Sequence, residues 1–202
     1  PLNEVLEWAT VDDSATLMAN FCTDDRPEEF YRKFYNIGSG DAYRLSNYQF
    51  EDLLLHAIGM NHDASKQIFK PNWFINRNFH GHWYLDGDLL ESYLHFRHNI
   101  PVEQYFRNMA KQVEWFYHLA FFATVPGIDK VTRLALGKIA QDKRFGTRTW
   151  IAENNTDRMV AYWGDTKSYG MDYYKTIPSD WSKTDIHVPS KTDYIRLDHG
   201  YD

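Results

Sequence analysis

Hydrophobic and polar positions divide the chain into an alternating opening, a set of amphipathic helices and a polar, turn-rich end. Val5 to Val11 alternates well enough to predict a strand. Asp12 or Asp13 then caps a helix running to about Phe21, with Ala15, Leu17, Met18 and Phe21 on its apolar face. Thr23 to Glu29 is a polar turn with Pro27 at a helix start. Phe34 to Ile37 reads as a short buried strand, and Gly38-Ser39-Gly40 as the turn that ends it. Ser46-Asn47-Tyr48-Gln49 has the form of a capping box. It opens a helix carrying Phe50, Leu53, Leu54 and Ala57, with Gly59 as the stop.

Gln67 to Phe69 suggests a strand kept short by Pro71, and Asn72 to Tyr84 an aromatic loop. Asp86 or Asp88 starts a helix through Leu94. Pro101 suits the first position of a long helix running from Val102 to Tyr117. Pro126-Gly127 breaks that helix, and Asp129 to Lys143 forms another. Thr149 to Ala152 and Met159 to Trp163 read as short strands. No internal repeat or low-complexity stretch interrupts this order.

At 202 residues, with 43% hydrophobic and 25% charged residues, the chain has the composition of a globular protein with a real core. The aromatic share of 17% is high and suits either a thick core or a binding surface. A formal charge of −6 with dispersed Lys and Arg gives no nucleic-acid footprint. The longest apolar run, Leu119 to Ala123, is too short to cross a bilayer, so no membrane partner is expected. Glu4 and Glu7 stand where a signal peptide would need a basic and then an apolar region. Cys22 is the only cysteine, which excludes an internal disulfide and suits a reducing cytoplasm. Its place at the end of an apolar helical run predicts a buried, structural thiol.

The stretch from Glu7 to Leu54 carries a family likeness. Thr10-Val11-Asp12-Asp13-Ser14-Ala15 joins a strand to a small-residue helix, Tyr35-Asn36-Ile37-Gly38-Ser39-Gly40 ends a second strand, and the helix from Ser46 to Ile58 follows. Farther on come Asp88-Leu89-Leu90, Phe96-Arg97, Val102-Glu103 and Trp115 in matching order. Over about Glu7 to Trp115 this resembles the second half of an extended short-chain dehydrogenase/reductase, the NAD-dependent epimerase/dehydratase family. The resemblance implies a helix-rich α/β fold, the C-terminal part of a Rossmann-type enzyme with a few short strands. It also implies two parts, a substrate-side portion over residues 1–125 and a subfamily-specific extension over 126–202. The N-terminal nucleotide-binding half would be the partner, with NAD or NADP as cofactor of the complete enzyme and a sugar nucleotide or similar polar small molecule as substrate. On that reading Pro1 lies in mid-domain and is not a tautomerase-like general base. Oligomeric state is left open, a homo-oligomer included.

Two family features are missing. The glycines never fall into the Gly-x-x-Gly-x-x-Gly spacing that lets backbone amides approach a pyrophosphate. No Lys has a Tyr four residues before it, so the Tyr-x-x-x-Lys acid–base pair is absent. The chain alone is therefore expected to bind no cofactor and transfer no hydride.

The densest polar–aromatic cluster lies between Asn72 and Tyr84. Within it Arg77 could grip a phosphate or carboxylate bidentately, Asn78 and His80 could bond hydroxyls, and Trp83 could stack on a ring. These four are the candidate substrate residues. The competing reading is a loop packed on the core by its aromatics. His80 and His82 could begin a metal site only with a third ligand such as His56, His62, Asp86 or Asp88. His95 and His98 read as a solvated helix end, and Glu114 with His118 as a surface pair. A stand-alone module binding a ligand or protein through the aromatic loop is the alternative to an enzyme portion.

Overall fold

The computed structural model describes residues 1–23, 25–77, 83–84, 86–115, 122, 125–139, 141–144 and 146–186. Helices dominate. Among the described residues the one sheet has two strands, β1 (Val5–Glu7) and β2 (Arg44–Ser46), antiparallel with Val5 opposite Ser46 and Glu7 opposite Arg44. Alternation sends Val5 into the core and leaves Leu6 exposed.

Helix α1 (Val11–Thr23) starts two or three residues earlier than a cap at Asp12 or Asp13 would set it. Its cap is Thr10, whose Oγ1 accepts the Asp13 N–H at 3.2 Å and whose carbonyl accepts the Ser14 N–H. Asp12 and Asp13 therefore sit inside the first turn, and Asp13 is buried. Leu17 on the inner face packs with Phe30, Leu90, Leu94 and Phe96. Phe34 to Ile37 does not form the predicted strand. It belongs to no strand among the described residues, and Phe34 is fully exposed.

The capping box at Ser46 is present in full. Ser46 accepts the Gln49 N–H, and the Gln49 side chain accepts the Ser46 N–H. Helix α2 (Asn47–Ala57) follows and packs against α5 (Val102–Ala110) over a cluster of Tyr43, Val102 and Phe106 with Trp8 and Phe50. Pro101 stands at the cap of α5, and that helix ends well before Tyr117. Turns occupy Lys111 to Val113, while His118 and residues 116–121 lie outside the described residues.

Three expected strands are helices. Gln67 falls in α3 (Ala64–Ile68), which buries Ala64, Ser65 and Ile68. The region before it is set by Asp63, a non-glycine residue at φ 60°. After α4 (Leu89–Leu94) and α6 (Ile128–Ile139) come α7 (Thr147–Ala152) and α8 (Thr156–Tyr162), where β-branched and aromatic residues suggest strands. The Asn155 side chain accepts the Arg158 N–H, so a local cap overrides strand propensity at α8. Helix α9 (Gly170–Tyr174) packs on α8.

This C-terminal group holds the aromatic segment. Trp163, with no exposed surface, donates its indole N–H to the Phe74 carbonyl at 3.1 Å. Asn76 exchanges hydrogen bonds with Gly164 at 2.8 and 3.0 Å, and Trp181 donates to the Phe69 carbonyl at 2.9 Å. Residues after 126 thus pack directly on residues 69–77. Among the described residues no helix is long and apolar enough to cross a membrane.

Candidate functional site

The turn at Gly38-Ser39-Gly40 is held from within the chain. Ser39 N–H donates to the Trp8 carbonyl, and the Ser39 Oγ accepts the Thr10 N–H at 2.9 Å. A Cβ at Gly38 would collide with the Glu7 carboxylate, and one at Gly40, whose φ is +92°, would press on the Arg97 guanidinium. These glycines let the chain close on Glu7 and Arg97. They do not make a dinucleotide cradle, and the described residues offer no other glycine-rich turn ahead of a helix.

Arg97 is nearly buried, with 8% of its side chain exposed. Its Nε donates to the Gly38 carbonyl and its Nη2 to the Gly87 carbonyl, both at 2.8 Å, and Nη1 pairs with Asp88. The backbone around it is clamped by carboxylates. Glu91 accepts the Phe96 and Arg97 N–H groups, and Asp13 accepts the His98 N–H and ring Nδ1–H at 2.9 and 2.8 Å. His95, the exposed C-cap of α4, and the exposed His98 fit a solvated helix end, and His98 also pairs with the buried Asp13. Burial works to raise the Asp13 pKa, but hydrogen bonds from Ser39, His98 and Thr10 outweigh it and leave the carboxyl below the usual range. Tyr43 donates to the Ile100 carbonyl at 3.0 Å, and burial followed by the Asp13 charge pushes its pKa up to about 12. Tyr43 and Arg97 border a cleft of about 800 Å³ that is also lined by Asp41, Asp88, Glu91 and Glu103.

Arg44 on β2 connects this cleft to the aromatic segment. Its guanidinium lies over the Trp83 ring, 3.9 Å from the centroid. Glu7 Oε2 accepts from Arg44 Nε and Nη2 at 3.2 and 2.9 Å, and Asp41 pairs with Nη2 at 3.0 Å. Pairing rules reveal none of this, because Glu7, Arg44 and Trp83 are far apart in the chain. Only the strand register, which sets Glu7 opposite Arg44, brings two of them together.

Of the candidate substrate residues, Arg77 and Trp83 are both half-buried and rest on different elements. Arg77 Nη1 donates to the Val160 carbonyl at 3.0 Å, and its guanidinium lies 5.3 Å from the Tyr169 ring centroid. Asn78, His80 and His82 lie outside the described residues. Among the described residues no three His, Cys, Asp or Glu side chains are grouped to hold a metal. Of the third ligands considered, Asp88 pairs with Arg97, Asp86 accepts from Asn36, and His62 bonds Asp52 while stacking on His56.

The structure brings one Tyr and one Lys together without the missing motif. Lys66 Nζ lies 5.4 Å from the Tyr48 ring centroid and 3.0 Å from Asp63, to which Tyr48 also donates. Burial and then the Asp63 hydrogen bond push the Tyr48 pKa upward, opposite to what an acid–base Tyr needs. Tyr48 is a structural donor.

Cys22 is exposed, not buried. It belongs to an outward stripe of α1 made of Val11, Ala15, Met18, Ala19 and Cys22, spaced at i, i+4, i+7, i+8 and i+11. Val11 is 78% exposed and Met18 59%. Polar Asp13, Ser14 and Asn20 face the other way, where Asn20 donates to the Leu94 carbonyl and Asp13 binds His98. The helix thus shows an apolar stripe to solvent, while its inner face combines Leu17 with the polar Asp13, Ser14 and Asn20.

Set beside known proteins, the chain matches no family model, no curated protein and no solved structure.

Proposed function

We propose that this chain is the substrate-binding portion of an NAD(P)-dependent epimerase, dehydratase or reductase of the extended short-chain type. Its substrate is a sugar nucleotide or similar polar molecule. NAD(P) and the Tyr–Lys pair belong to a nucleotide-binding half that covers the outer face of α1 and the Phe34–Ile37 segment. The observation that carries this reading is the apolar stripe that α1 leaves exposed. A stripe of five apolar residues faces outward while Asp13 and Asn20 are used inside. Phe34 and Ile37, 100% and 50% exposed, add to the apolar surface. Exposed apolar surface of this kind marks an interface. The order of motifs from Glu7 to Trp115 supports a nucleotide-binding half as that partner, by its resemblance to the family.

The sequence has neither the Gly-x-x-Gly-x-x-Gly spacing nor a Tyr-x-x-x-Lys pair, which fits this division of labour. The chain's own part is to hold and orient substrate through Arg77 and Trp83. In the complete enzyme, Arg77→Ala and Trp83→Ala should each raise the substrate KM about tenfold, the loss of one charge-assisted or stacking contact. The cofactor KM should stay within about twofold. Steady-state kinetics with substrate and cofactor varied separately checks this, and unchanged substrate KM values in both variants would remove the assignment.

A further inference from the structure

Two histidines outside the cleft and the aromatic segment are joined ring to ring. His56 stands in the last turn of α2 and His62 in the loop that leads to α3, and both are exposed. Their rings stack with centroids 3.7 Å apart and planes 18° from parallel. Hydrogen bonds fix the loop between them. Met60 is buried, and its N–H donates to the Leu55 carbonyl at 3.0 Å. Asp52, one turn back on α2, accepts the Asp63 N–H with one oxygen and bonds His62 Nδ1 with the other at 2.8 Å. His56 Nδ1 bonds the Met60 carbonyl at 3.1 Å.

A carbonyl and a carboxylate only accept, so both Nδ1 atoms carry the proton and each neutral ring keeps its lone pair on Nε2. Neither Nε2 has a hydrogen-bond partner among the described residues. Each lies across its ring from an Nδ1 bound to the chain, so both lone pairs point away from those acceptors. Histidine ligands of metal ions have this arrangement, with one ring nitrogen held by a carboxylate or backbone carbonyl and the other left for the ion. Two nitrogens at the usual zinc distance of about 2.0–2.1 Å lie about 3.3 Å apart in a tetrahedral site. A small tilt of two exposed rings 3.7 Å apart reaches that separation.

We propose that His56 and His62 form a two-histidine site for a divalent transition-metal ion such as zinc, with water completing its coordination. Asp52 and the Met60 carbonyl touch no ion and position the rings. Imidazole suits zinc, copper and nickel, whereas magnesium prefers oxygen ligands. The site is independent of the substrate-binding role proposed above.

The test follows the ring C–H signals of His56 and His62 by NMR as zinc chloride is added at about pH 7.5, where imidazole is mostly neutral. The two signals are assigned by His56→Ala and His62→Ala, and both positions are exposed, so neither variant touches the core. In wild type both signals should shift or broaden together and saturate with one ion, and magnesium chloride should affect neither. In each alanine variant the remaining ring should need at least about tenfold more zinc to respond. Asp52→Asn keeps an acceptor for the Asp63 N–H but turns a donor toward His62 Nδ1. It should weaken zinc binding about tenfold and switch His62 to the Nε2–H tautomer, read from its ring ¹⁵N shifts. An unchanged tautomer with unchanged zinc response in that variant would overturn the positioning role. If it does not fold, the two alanine variants decide the site. A response from one ring alone, equal effects of magnesium, or a wild-type response in either alanine variant would overturn the site. A zinc response confined to others of the nine histidines would overturn it as well.

Discussion

Replacing Asp13 with Ala should destabilise the chain by about 3 kcal/mol at neutral pH, within the range for removing one member of a buried charged network. The change strips the acceptor from the His98 N–H and ring, at 2.9 and 2.8 Å, and from the hydroxyls of Ser39 and Thr10. It also unpins the backbone that carries Arg97. Asp13→Asn keeps one acceptor oxygen and should cost less. The effect is pH-dependent with a definite sign. Because the folded-state pKa of Asp13 is lowered, its contribution is full above the unfolded carboxyl pKa of about 3.9. It is lost as pH falls through the lower folded-state value. Urea unfolding of wild type and Asp13→Ala should therefore differ most above about pH 5 and converge in acid. A difference that persists unchanged to the lowest pH would show that the Asp13 charge is not the source.

The second large effect separates the isolated chain from the complete enzyme. Phe34 is fully exposed and Met18 59% exposed, so Phe34→Ser and Met18→Lys should each change stability by less than about 0.5 kcal/mol in this chain. In the complete enzyme the same positions would lie under the nucleotide-binding half, and each change should cost about 2–4 kcal/mol. Denaturant midpoints measured on both proteins check the contrast. Neutral behaviour in both would mean that the face has no cover there.

Legibility in the sequence followed how local each determinant is. The capping box at Ser46 and the start of α4 after Asp88 depend on residues a turn apart, and both are where the pattern puts them. The strand at Val5 is present but stops at Glu7, because the helix the acidic pair predicts is capped earlier, at Thr10. Short segments rich in Thr, Ile, Val and Trp at α7 and α8 read as strands, yet tertiary contacts and the Asn155 cap make them helical. Cys22 illustrates the opposite failure. The apolar run that predicts its burial is real, but Leu17 alone of that run is buried, and Met18, Phe21 and Cys22 face out. Hydrophobic residues predict that a face is covered, not that this chain supplies the cover.

In the candidate site, Arg77 and Trp83 are legible as chemistry-bearing residues because they stand in a dense polar–aromatic stretch. Their supports are not. Arg44, Glu7 and Asp13 act across long sequence separations, through a strand register and a helix start that residue spacing does not encode.

The central claim is that this chain works as the substrate-side part of a larger oxidoreductase or epimerase. The most direct measurement is the coding sequence immediately upstream of the Pro1 codon. A continuous reading frame carrying a Gly-x-x-Gly-x-x-Gly turn and a Tyr-x-x-x-Lys pair is the predicted result. A start codon directly before Pro1 would contradict it and leave a stand-alone binding module in its place.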